Sequence, residues 1–361
     1  MHSQDRDHHM EDNDRTKKII QFIKTYGVIT NNDVQSLTNV HRNTATLCLK
    51  RLVEDGIILS EGTGKGTVYR LIEDLIFLSS EIETVFPKSK KRQLESYFKT
   101  QNRKRVFFNK ISQSALNANF SFSQNISLKF EAMKDRIDAK RKELSEEVRK
   151  QKKEKLVIDL SWASSNIEGN TYSLLETEGL LKYNQTAKGK DFHEAQMILN
   201  HKEAIEYIRQ GHHYKKLDKK IVLELRQVLI NNLDIGTGFR EHLVSISNSS
   251  FVPCDNKFQI ISFFELLIDK INSAKSVLEK SVMANLLIAF LQPFSDGNKR
   301  TSRMLGNAIL ISYGLIPISF VNTAKEDYIK AILYFYEKQN PDFFKQLFLN
   351  ELNSSYREYI G

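Results

Sequence analysis

Apolar residues recur with helical spacing near the start of the chain and predict two short helices. Four of them fall on one face of the first helix, namely Ile19, Ile20, Phe22 and Ile23. Gly27 is expected to end this helix, because glycine tolerates the left-handed conformation that follows a helix. The second helix runs through Val34 and Leu37 and can be capped by Thr30 or Asn31. The pattern therefore predicts two helices in close succession.

A third helix is predicted directly after a tight turn at residues 38–40. Apolar residues at every third or fourth position predict its buried face, which consists of Ala45, Cys48, Leu49, Leu52 and Val53. Its outward face carries Arg42, Asn43, Thr46, Lys50 and Arg51. After Gly56, two apolar arms flank a glycine-rich turn with Lys65 at its tip, which predicts a β-hairpin. Residues 15–75 are therefore predicted to form one small domain.

The rest of the chain is predicted to be mostly helical. Residues 128–155 alternate glutamate and lysine, as in a solvent-exposed helix. Two strongly apolar segments, "VMANLLIAFL" and "RMLGNAILISYGL", predict buried helices on either side of the polar stretch "QPFSDGNKRTSR". A second polar stretch, "SSNIEGN", falls where a helix should end, since Gly169 and Asn170 both tolerate left-handed geometry.

Length and composition add that the chain is a multidomain protein without a membrane span. The 361 residues exceed one ordinary core, and no apolar run reaches the roughly 18 residues of a membrane helix. Residues 1–14 are polar, lack the pattern of a secretory signal and are predicted to be a disordered tail. Two cysteines, Cys48 and Cys254, are too few and too far apart for a disulfide scaffold or a zinc site, which favours the reducing cytoplasm.

The positive charge is concentrated in one part of the chain. The formal net charge is +9, and residues 77–155 carry 20 Lys/Arg against 10 Asp/Glu, so this stretch alone accounts for +10. Such a bias favours a polyanionic partner, because neutralised phosphates release counterions. A solvated basic helix face is the alternative. Residues 76–127, where cations and aromatic residues interleave, are predicted to be a basic connecting segment that tracks nucleic acid or covers a domain junction.

Three helices closed by a glycine-rich hairpin resemble the winged helix-turn-helix family of DNA-binding domains. The resemblance covers about sixty residues and implies a double-stranded DNA partner, with a homodimer on a palindromic site and a cytoplasmic, nucleoid-associated location. It implies that bases are read by residues on the third helix, namely Arg42, Asn43, Thr44 and Thr46. Phosphate contacts are implied for Lys50, Arg51 and Lys65. The alternative is a domain used for protein contacts or dimerisation alone.

The stretch "QPFSDGNKRTSR" has the features of a phosphate site. The turn of Asp296, Gly297 and Asn298 falls at a predicted helix N-terminus, where free N–H groups and the helix dipole attract anions. Arg300 and Arg303 project from one side of that helix and can hold further phosphate oxygens. Asp296 can bind a magnesium ion that bridges those oxygens. A capped turn inside a helical bundle is the alternative.

This stretch closely resembles the motif of the Fic family, His-Pro-Phe-x-Asp/Glu-Gly-Asn-Gly/Lys-Arg-x-x-Arg, at every defined position except the first, which is Gln292. Ser164, Glu168 and Gly169 resemble the family's inhibitory motif, whose glutamate pairs with the second arginine, here Arg303. "GTGFREHLVSI" with "FVPC" resembles the family's flap hairpin, which aligns a target side chain. The resemblance implies a Fic domain over residues 128–355, in a mostly α fold with a small flap β-hairpin and the N-terminal winged domain.

The resemblance implies transfer of AMP, or another nucleoside monophosphate, to a protein hydroxyl. It implies Mg²⁺ with ATP or another nucleoside triphosphate as cofactor. Catalytic positions are Gln292, Asn298 and Arg300, and nucleotide-binding positions are Phe294, Asp296, Gly297, Asn298, Lys299, Arg300 and Arg303.

Gln292 separates two functional hypotheses. The motif histidine takes the proton of the attacking hydroxyl, whereas a carboxamide cannot take up a proton near pH 7. The first hypothesis is a nucleotide-responsive DNA-binding regulator with impaired transfer. The second is an active adenylyltransferase that Glu168 inhibits, with His242 or a water as the base. A glutamine introduced to trap a nucleotide complex is a third possibility.

Overall fold

The computed structural model describes residues 15–23, 25–54, 58–62, 64–71, 88–100, 103–211 and 214–360. The chain divides into two compact units, the first containing residues 1–83 and 123–133 and the second residues 84–122 and 134–361. The predicted tail, residues 1–14, lies outside the described residues. Residues 84–122, which include most of the predicted connecting segment, belong to the second unit.

The first unit contains the predicted helices and hairpin. A helical stretch over residues 15–23 (α1) is followed by β1 (Ile29–Thr30), α2 (Asn31–Thr38), α3 (Arg42–Glu54), β2 (Ile58–Glu61) and β3 (Val68–Leu71). The three strands form an antiparallel sheet in the order β1-β3-β2, with Ser60 opposite Tyr69. A short 3₁₀ turn, Gly64–Gly66, links the hairpin strands.

The boundaries of these elements follow from local chemistry. Thr30 caps α2 as predicted, since its hydroxyl accepts from the Asp33 N–H while the Asp33 carboxylate accepts from the Thr30 N–H. Asn39 ends α2 in the left-handed conformation, with φ 53°. The core is made of residues from α1, β1, α2, α3 and β2, namely Ile19, Ile23, Ile29, Val34, Ala45, Leu49, Leu52 and Ile58. Ile20 and Phe22 are half-buried at its edge.

The second unit is built almost entirely from helices. Before the long helices, it contains α4 (Lys88–Lys99), β4 (Val106–Phe107) and α5 (Phe108–Leu116). Helix α6 (Gln124–Glu143) begins in the residue range of the first unit and ends in that of the second. The remaining elements are α7 (Glu146–Ile167), α8 (Leu174–Tyr183), α9 (Phe192–Arg209), α10 (Lys219–Leu229), β5 (Phe251–Val252), α11 (Lys257–Asn272), α12 (Val277–Leu291), α13 (Asn298–Ser312), α14 (Lys325–Lys338) and α15 (Asp342–Tyr359). None of the helices in the described ranges is long and apolar enough to cross a membrane.

Helices α12 and α13 form the centre of the second unit. Every residue of α12 from Leu278 to Leu291 is buried, as expected for a mostly apolar helix at the centre of a helical unit. The two helices approach closely at Gly306, where a Cβ atom would overlap the Asn285 side-chain nitrogen. The Ser281 hydroxyl donates to the Gly306 carbonyl at 3.0 Å across the same contact. This packing fixes the loop of residues 292–297 that joins the two helices, which we call the motif loop.

The predicted flap hairpin differs from the observed structure. In the flap segment, residues 236–254, one short strand forms, β5, and it pairs in parallel with β4 from the predicted connecting segment. Val106 and Phe107 lie opposite Phe251 and Val252, and the Val106 N–H donates to the Ser250 carbonyl at 2.9 Å. The first arm of the flap segment is instead held by Arg240, whose guanidinium donates to the carbonyls of Gln292, His242 and Cys254. The flap segment therefore forms one strand and not the two of the predicted hairpin, because β5 pairs with β4.

Candidate functional site

The motif loop is held in shape by Asn298, the first residue of α13. The Asn298 side chain accepts from the Phe294 N–H at 2.9 Å and donates to the Phe294 carbonyl at 2.8 Å. Gly297 precedes α13 with φ 81°, a conformation that suits glycine, and no side chain caps the helix. The N–H groups of the first turn of α13 therefore point to the loop without a side-chain cap.

Gln292 ends α12 in the left-handed conformation, with φ 50°, and is 9% exposed. Its Nε2 donates to the Ala289 carbonyl at 2.6 Å, and its Oε1 accepts from Asn298 Nδ2 at 3.1 Å. Its main-chain carbonyl accepts from Arg240 at 2.6 Å. Both ends of the carboxamide are therefore bonded to the protein, and neither is a proton acceptor near neutral pH.

Asp296 and Arg300 form an ion pair at the start of α13. Arg300 Nη2 lies 2.9 Å from Asp296 Oδ2, and the Arg300 side chain is 3% exposed whereas that of Asp296 is 66% exposed. Arg300 Nη1 is buried and has no hydrogen-bond partner within the described part of the chain. The Asp296 carboxylate is therefore open to solvent. The Arg300 guanidinium keeps one N–H donor that an anion could accept from.

Glu168 follows the last residue of α7 and is clamped by two cations of α13. Arg303 Nη2 lies 2.7 Å from Glu168 Oε1, and Lys299 Nζ lies 3.0 Å from Glu168 Oε2. Arg303 also donates to Ser164, from Nε to the hydroxyl at 3.0 Å and from Nη2 to the carbonyl at 2.8 Å. The predicted pairing of Glu168 with Arg303 is therefore present in the geometry, with Ser164 as a second acceptor.

The electrostatics of Glu168 favour its charged form. Burial would raise the pKa of the carboxyl group, but the nearby Arg303 and Lys299 outweigh this effect and lower the pKa from 4.5 to about 2. Although burial opposes it, the pKa of Arg303 is raised by Tyr328 and Glu168. The pair is therefore fully ionised at neutral pH.

Two of the predicted site residues, Phe294 and Gly169, shape the backbone around the site. The Phe294 side chain was predicted to bind nucleotide, but it is fully buried and stacks on Phe239 with ring centroids 5.8 Å apart. Its aromatic ring therefore shapes the motif loop from beneath and lies away from solvent. Gly169 is exposed with φ 103°, so it ends α7 and leaves Glu168 at the helix terminus.

Arg226 on α10 is a functional candidate that the sequence reading missed. It is 1% exposed, and its guanidinium lies 4.2 Å from the centroid of the Phe294 ring. It donates to the carbonyls of Thr237 and Gly236 at 2.8 and 2.7 Å, which ties the flap segment to the motif loop. Burial, together with repulsion from Arg300, lowers the pKa of Arg226 to about 10. The available signal was one arginine on the apolar face of "IVLELRQVL".

The predicted DNA-binding side chains lie along α3 and are mostly exposed. Arg42, Asn43, Lys50 and Arg51 are exposed and Thr44 is half-buried. The Thr46 hydroxyl accepts from Asn31 at 2.9 Å and donates to the Arg42 carbonyl at 2.8 Å, so its donor is already used. The main chain of Lys65 lies in the 3₁₀ turn at the tip of the hairpin. Leu47, which the sequence reading did not select, is 69% exposed on the same helix.

Two segments of the chain are similar to known protein families. Residues 216–310 match the Fic/DOC family, and residues 11–72 match the C-terminal domain of DIP2311-like transcriptional regulators. The chain is 29% identical over 202 residues to the protein adenylyltransferase Fic of Drosophila willistoni, covering 53% of this chain and 40% of that protein. It is 24% identical over 174 residues to the protein adenylyltransferase fic-1 of Caenorhabditis briggsae, covering 46% of this chain and 34% of that protein. The chain thus spans only about a third to two fifths of these relatives.

Solved structures show the shared fold. A Fic family protein from Desulfovibrio desulfuricans superposes with a TM-score of 0.55 at 19% identity, covering 67% of this chain and 75% of that one. A Fic domain containing signaling protein from Bacteroides thetaiotaomicron gives 0.52 at 20% identity, covering 63% and 96%. The mostly helical fold class is confirmed. Residues 216–310 are similar to the Fic/DOC family, and the region before them is similar to a transcriptional regulator domain.

Proposed function

We propose that this chain is a DNA-binding regulator whose Fic domain binds a nucleoside triphosphate but transfers AMP to protein hydroxyls poorly or not at all. The bonding of Gln292 carries this proposal. Gln292 stands at the position of the family's histidine base, and both ends of its carboxamide are bonded to the protein. Loss of a positioned base removes about 10²- to 10⁴-fold of rate, while groups that bind phosphate are unaffected.

The nucleotide phosphates are proposed to bind at the start of α13. The uncapped first turn of the helix supplies N–H groups, and Lys299, Arg300 and Arg303 supply positive charge around it. The spare donor on Arg300 Nη1 supports a direct phosphate contact. Asn298 acts by positioning, because its amide group is already bonded to Phe294 and Gln292.

A magnesium ion bound with the nucleotide is proposed to contact Asp296. Its carboxylate is largely exposed, and no group of three or more His, Cys, Asp or Glu side chains suited to a metal occurs among the residues the structure describes. One carboxylate with several phosphate oxygens is a usual ligand set for Mg²⁺, which binds few protein groups. The ion would neutralise phosphate charge there, and Arg300 keeps Asp296 in position.

The second candidate function is an active protein adenylyltransferase that Glu168 inhibits. The Glu168–Arg303 pair favours this function, because a carboxylate that occupies the phosphate-binding arginine would inhibit an active enzyme. This function needs another base. His242 is exposed in the flap segment, whereas His201 is fully buried and burial lowers its pKa to about 3. His242 or a water is therefore the base that this alternative requires.

The DNA partner is proposed to bind α3. Exposed Arg42 and Asn43 at its start are suited to base edges, and exposed Leu47 adds an apolar group suited to a thymine methyl. Lys50, Arg51 and Lys65 would contact phosphates, and a homodimer on a palindromic site is part of the proposal. The resemblance of residues 11–72 to a transcriptional regulator domain supports this assignment.

A labelling experiment separates the two candidates. Purified chain is incubated with α-labelled ATP and Mg²⁺, with and without a cell extract, beside Glu168→Gly and the double variant Gln292→His/Glu168→Gly. We expect labelling by the double variant and background with the other two proteins, because only the double variant has both a base and a free Arg303. Labelling by Glu168→Gly that disappears with Asp296→Ala would establish the active transferase and refute the first proposal.

A further inference from the structure

A cavity of about 400 Å³ lies in the second unit, away from the motif loop. Its walls come from the end of α6, the first half of α7, the end of α9, the end of α13 with the segment that follows it, and the end of α15. Leu156 lines it on α7, and twelve residues separate Leu156 from Glu168. At about 1.5 Å per helical residue, Leu156 is therefore about 18 Å from Glu168 along α7, and Ile311 is about 12 Å from Arg303 along α13.

The lining combines strong positive charge with an apolar surface. The lining contains no carboxylate. It contains five cations, namely Arg141, Arg149, Lys152, Lys153 and Arg209. The apolar surface is formed by leucine, isoleucine, proline and tyrosine side chains, including Ile311, Pro317 and Tyr359. Asp159 and Glu358 are not in the lining, and both pair with Lys155, at 2.8 and 3.1 Å.

Two of the arginines, Arg141 and Arg209, repel each other. Arg209 Nη1 is buried with no hydrogen-bond partner among the described residues. Burial lowers the pKa of Arg209, nearby Glu206 partly opposes this effect, and repulsion from Arg141 adds to it. Arg141 bonds to the Gly314 carbonyl at 2.7 Å, and its contact with Asp138 is loose, at 3.8 Å. Arg209 therefore keeps one buried donor in a lining of five cations, and an anion in the cavity would satisfy that donor and reduce the repulsion.

We propose that this cavity is a second ligand site, which binds a small phosphorylated molecule with an apolar or aromatic part. The phosphate would contact Arg209, Arg141 and Lys153, since charge-assisted bonds to arginine are the strong ones for this group. The apolar part would pack on the Ile311 and Pro317 side of the cavity. Neither the motif loop nor the DNA-binding surface takes part, so the proposal is independent of the proposed function.

Phenyl phosphate tests the proposal, because it joins an aromatic ring to a phosphate. It is titrated by calorimetry into the full chain beside inorganic phosphate and phenol. We expect phenyl phosphate to bind at least about tenfold more tightly than either part. No heat with phenyl phosphate, or affinity no higher than that of inorganic phosphate, would overturn the proposal.

Variants assign the binding to the cavity. Lys153→Gln and Arg209→Gln should each weaken phenyl phosphate by about tenfold or more, as expected for loss of one charge-assisted bond. Lys150→Gln is the matched control, since Lys150 is exposed on the same helix and outside the lining. If Arg209→Gln unfolds, Lys153→Gln still tests the site, because Lys153 is exposed and its substitution should not affect folding. Equal weakening by Lys150→Gln and Lys153→Gln would mean nonspecific attraction and would refute the site.

Discussion

Removing the Glu168 carboxylate should strengthen nucleotide binding, because it frees Arg303. In the structure the Arg303 guanidinium is occupied by Ser164, by Glu168 and, at 3.4 Å, by the Tyr328 hydroxyl. These contacts use four of its five N–H donors. A terminal phosphate can reach Arg303 as a charged acceptor only when Glu168 leaves.

The size of the effect follows from the electrostatics of the pair. The pKa of Glu168 falls from 4.5 to about 2, and its side chain is 16% exposed, so solvent screening is limited. At about 1.4 kcal/mol for each pKa unit, the site stabilises the carboxylate relative to the neutral acid by about 3.5 kcal/mol more than water does. If all of this free energy opposed the ligand, its removal would raise affinity about 300-fold. We expect a gain of about tenfold to 300-fold, since the nucleotide can displace the carboxylate into water.

Calorimetry with ATP and Mg²⁺ tests this on wild type, Glu168→Gly and Glu168→Gln. Glu168→Gln removes the charge and keeps the side-chain volume. Its gain in ATP affinity therefore measures the electrostatic part of the effect. Glu178→Gln is the matched control, because Glu178 forms a similar pair with Lys182 at 2.7 Å on an exposed helix face. Affinity that is unchanged in both Glu168 variants would refute the reasoning, as would an equal gain in the control.

Three further outcomes are expected. Gly306→Ala should lower the free energy of unfolding by about 1–3 kcal/mol in chemical denaturation, because its Cβ overlaps Asn285 in the core. Gly179→Ala, in an uncrowded helix, should instead raise it by about 0.5–1 kcal/mol, and two equal effects would contradict the packing argument. Burial raises the pKa of Glu351 to about 7, so its contribution to stability is present below pH 4.5 and lost as the pH rises through 7. Glu351→Gln should therefore be more stable than wild type at pH 8, by up to about 3 kcal/mol, and equal to it at pH 4, whereas a constant difference would contradict the assignment. Arg42→Ala should weaken binding to a specific DNA site by about tenfold in gel shifts while nonspecific DNA changes little, and equal loss on all sequences would leave phosphate contact alone.

The helices and the motif loop were predictable because their signals are local. Glycine, capping residues and apolar periodicity specify α2, α3, α12 and the start of α13 within short stretches of sequence. The pairing of Glu168 with Arg303 joins residues 135 positions apart, and spacing alone does not reveal it. The resemblance to a known motif supplied that pair, and the geometry of the clamp, with Lys299 and Ser164, came from the structure.

The features that were missed depend on tertiary contacts. Nothing in "RVFF" shows that Val106 and Phe107 pair with the flap strand, since two-residue strands are set by what they meet. Glu337 shows the same dependence, because its carboxylate accepts hydrogen bonds from Tyr97, Arg103 and Ser249, which are distant in sequence. The burial of Phe294 also depends on tertiary contacts, because its ring packs on Phe239, which is distant in sequence.

The restoring variant Gln292→His is expected to fold, which gives its labelling result a clear meaning. Residue 292 adopts φ 50°, a region in which histidine is several-fold enriched among residues other than glycine. The carboxamide bonds to Ala289 and Asn298 are lost, at a cost of about 0.5–1.5 kcal/mol each, which the imidazole can partly replace. Thermal unfolding should therefore show a small decrease for the double variant. If it remains folded and binds ATP yet transfers no label, the missing base is not the reason for inactivity, and the account of Gln292 given above fails.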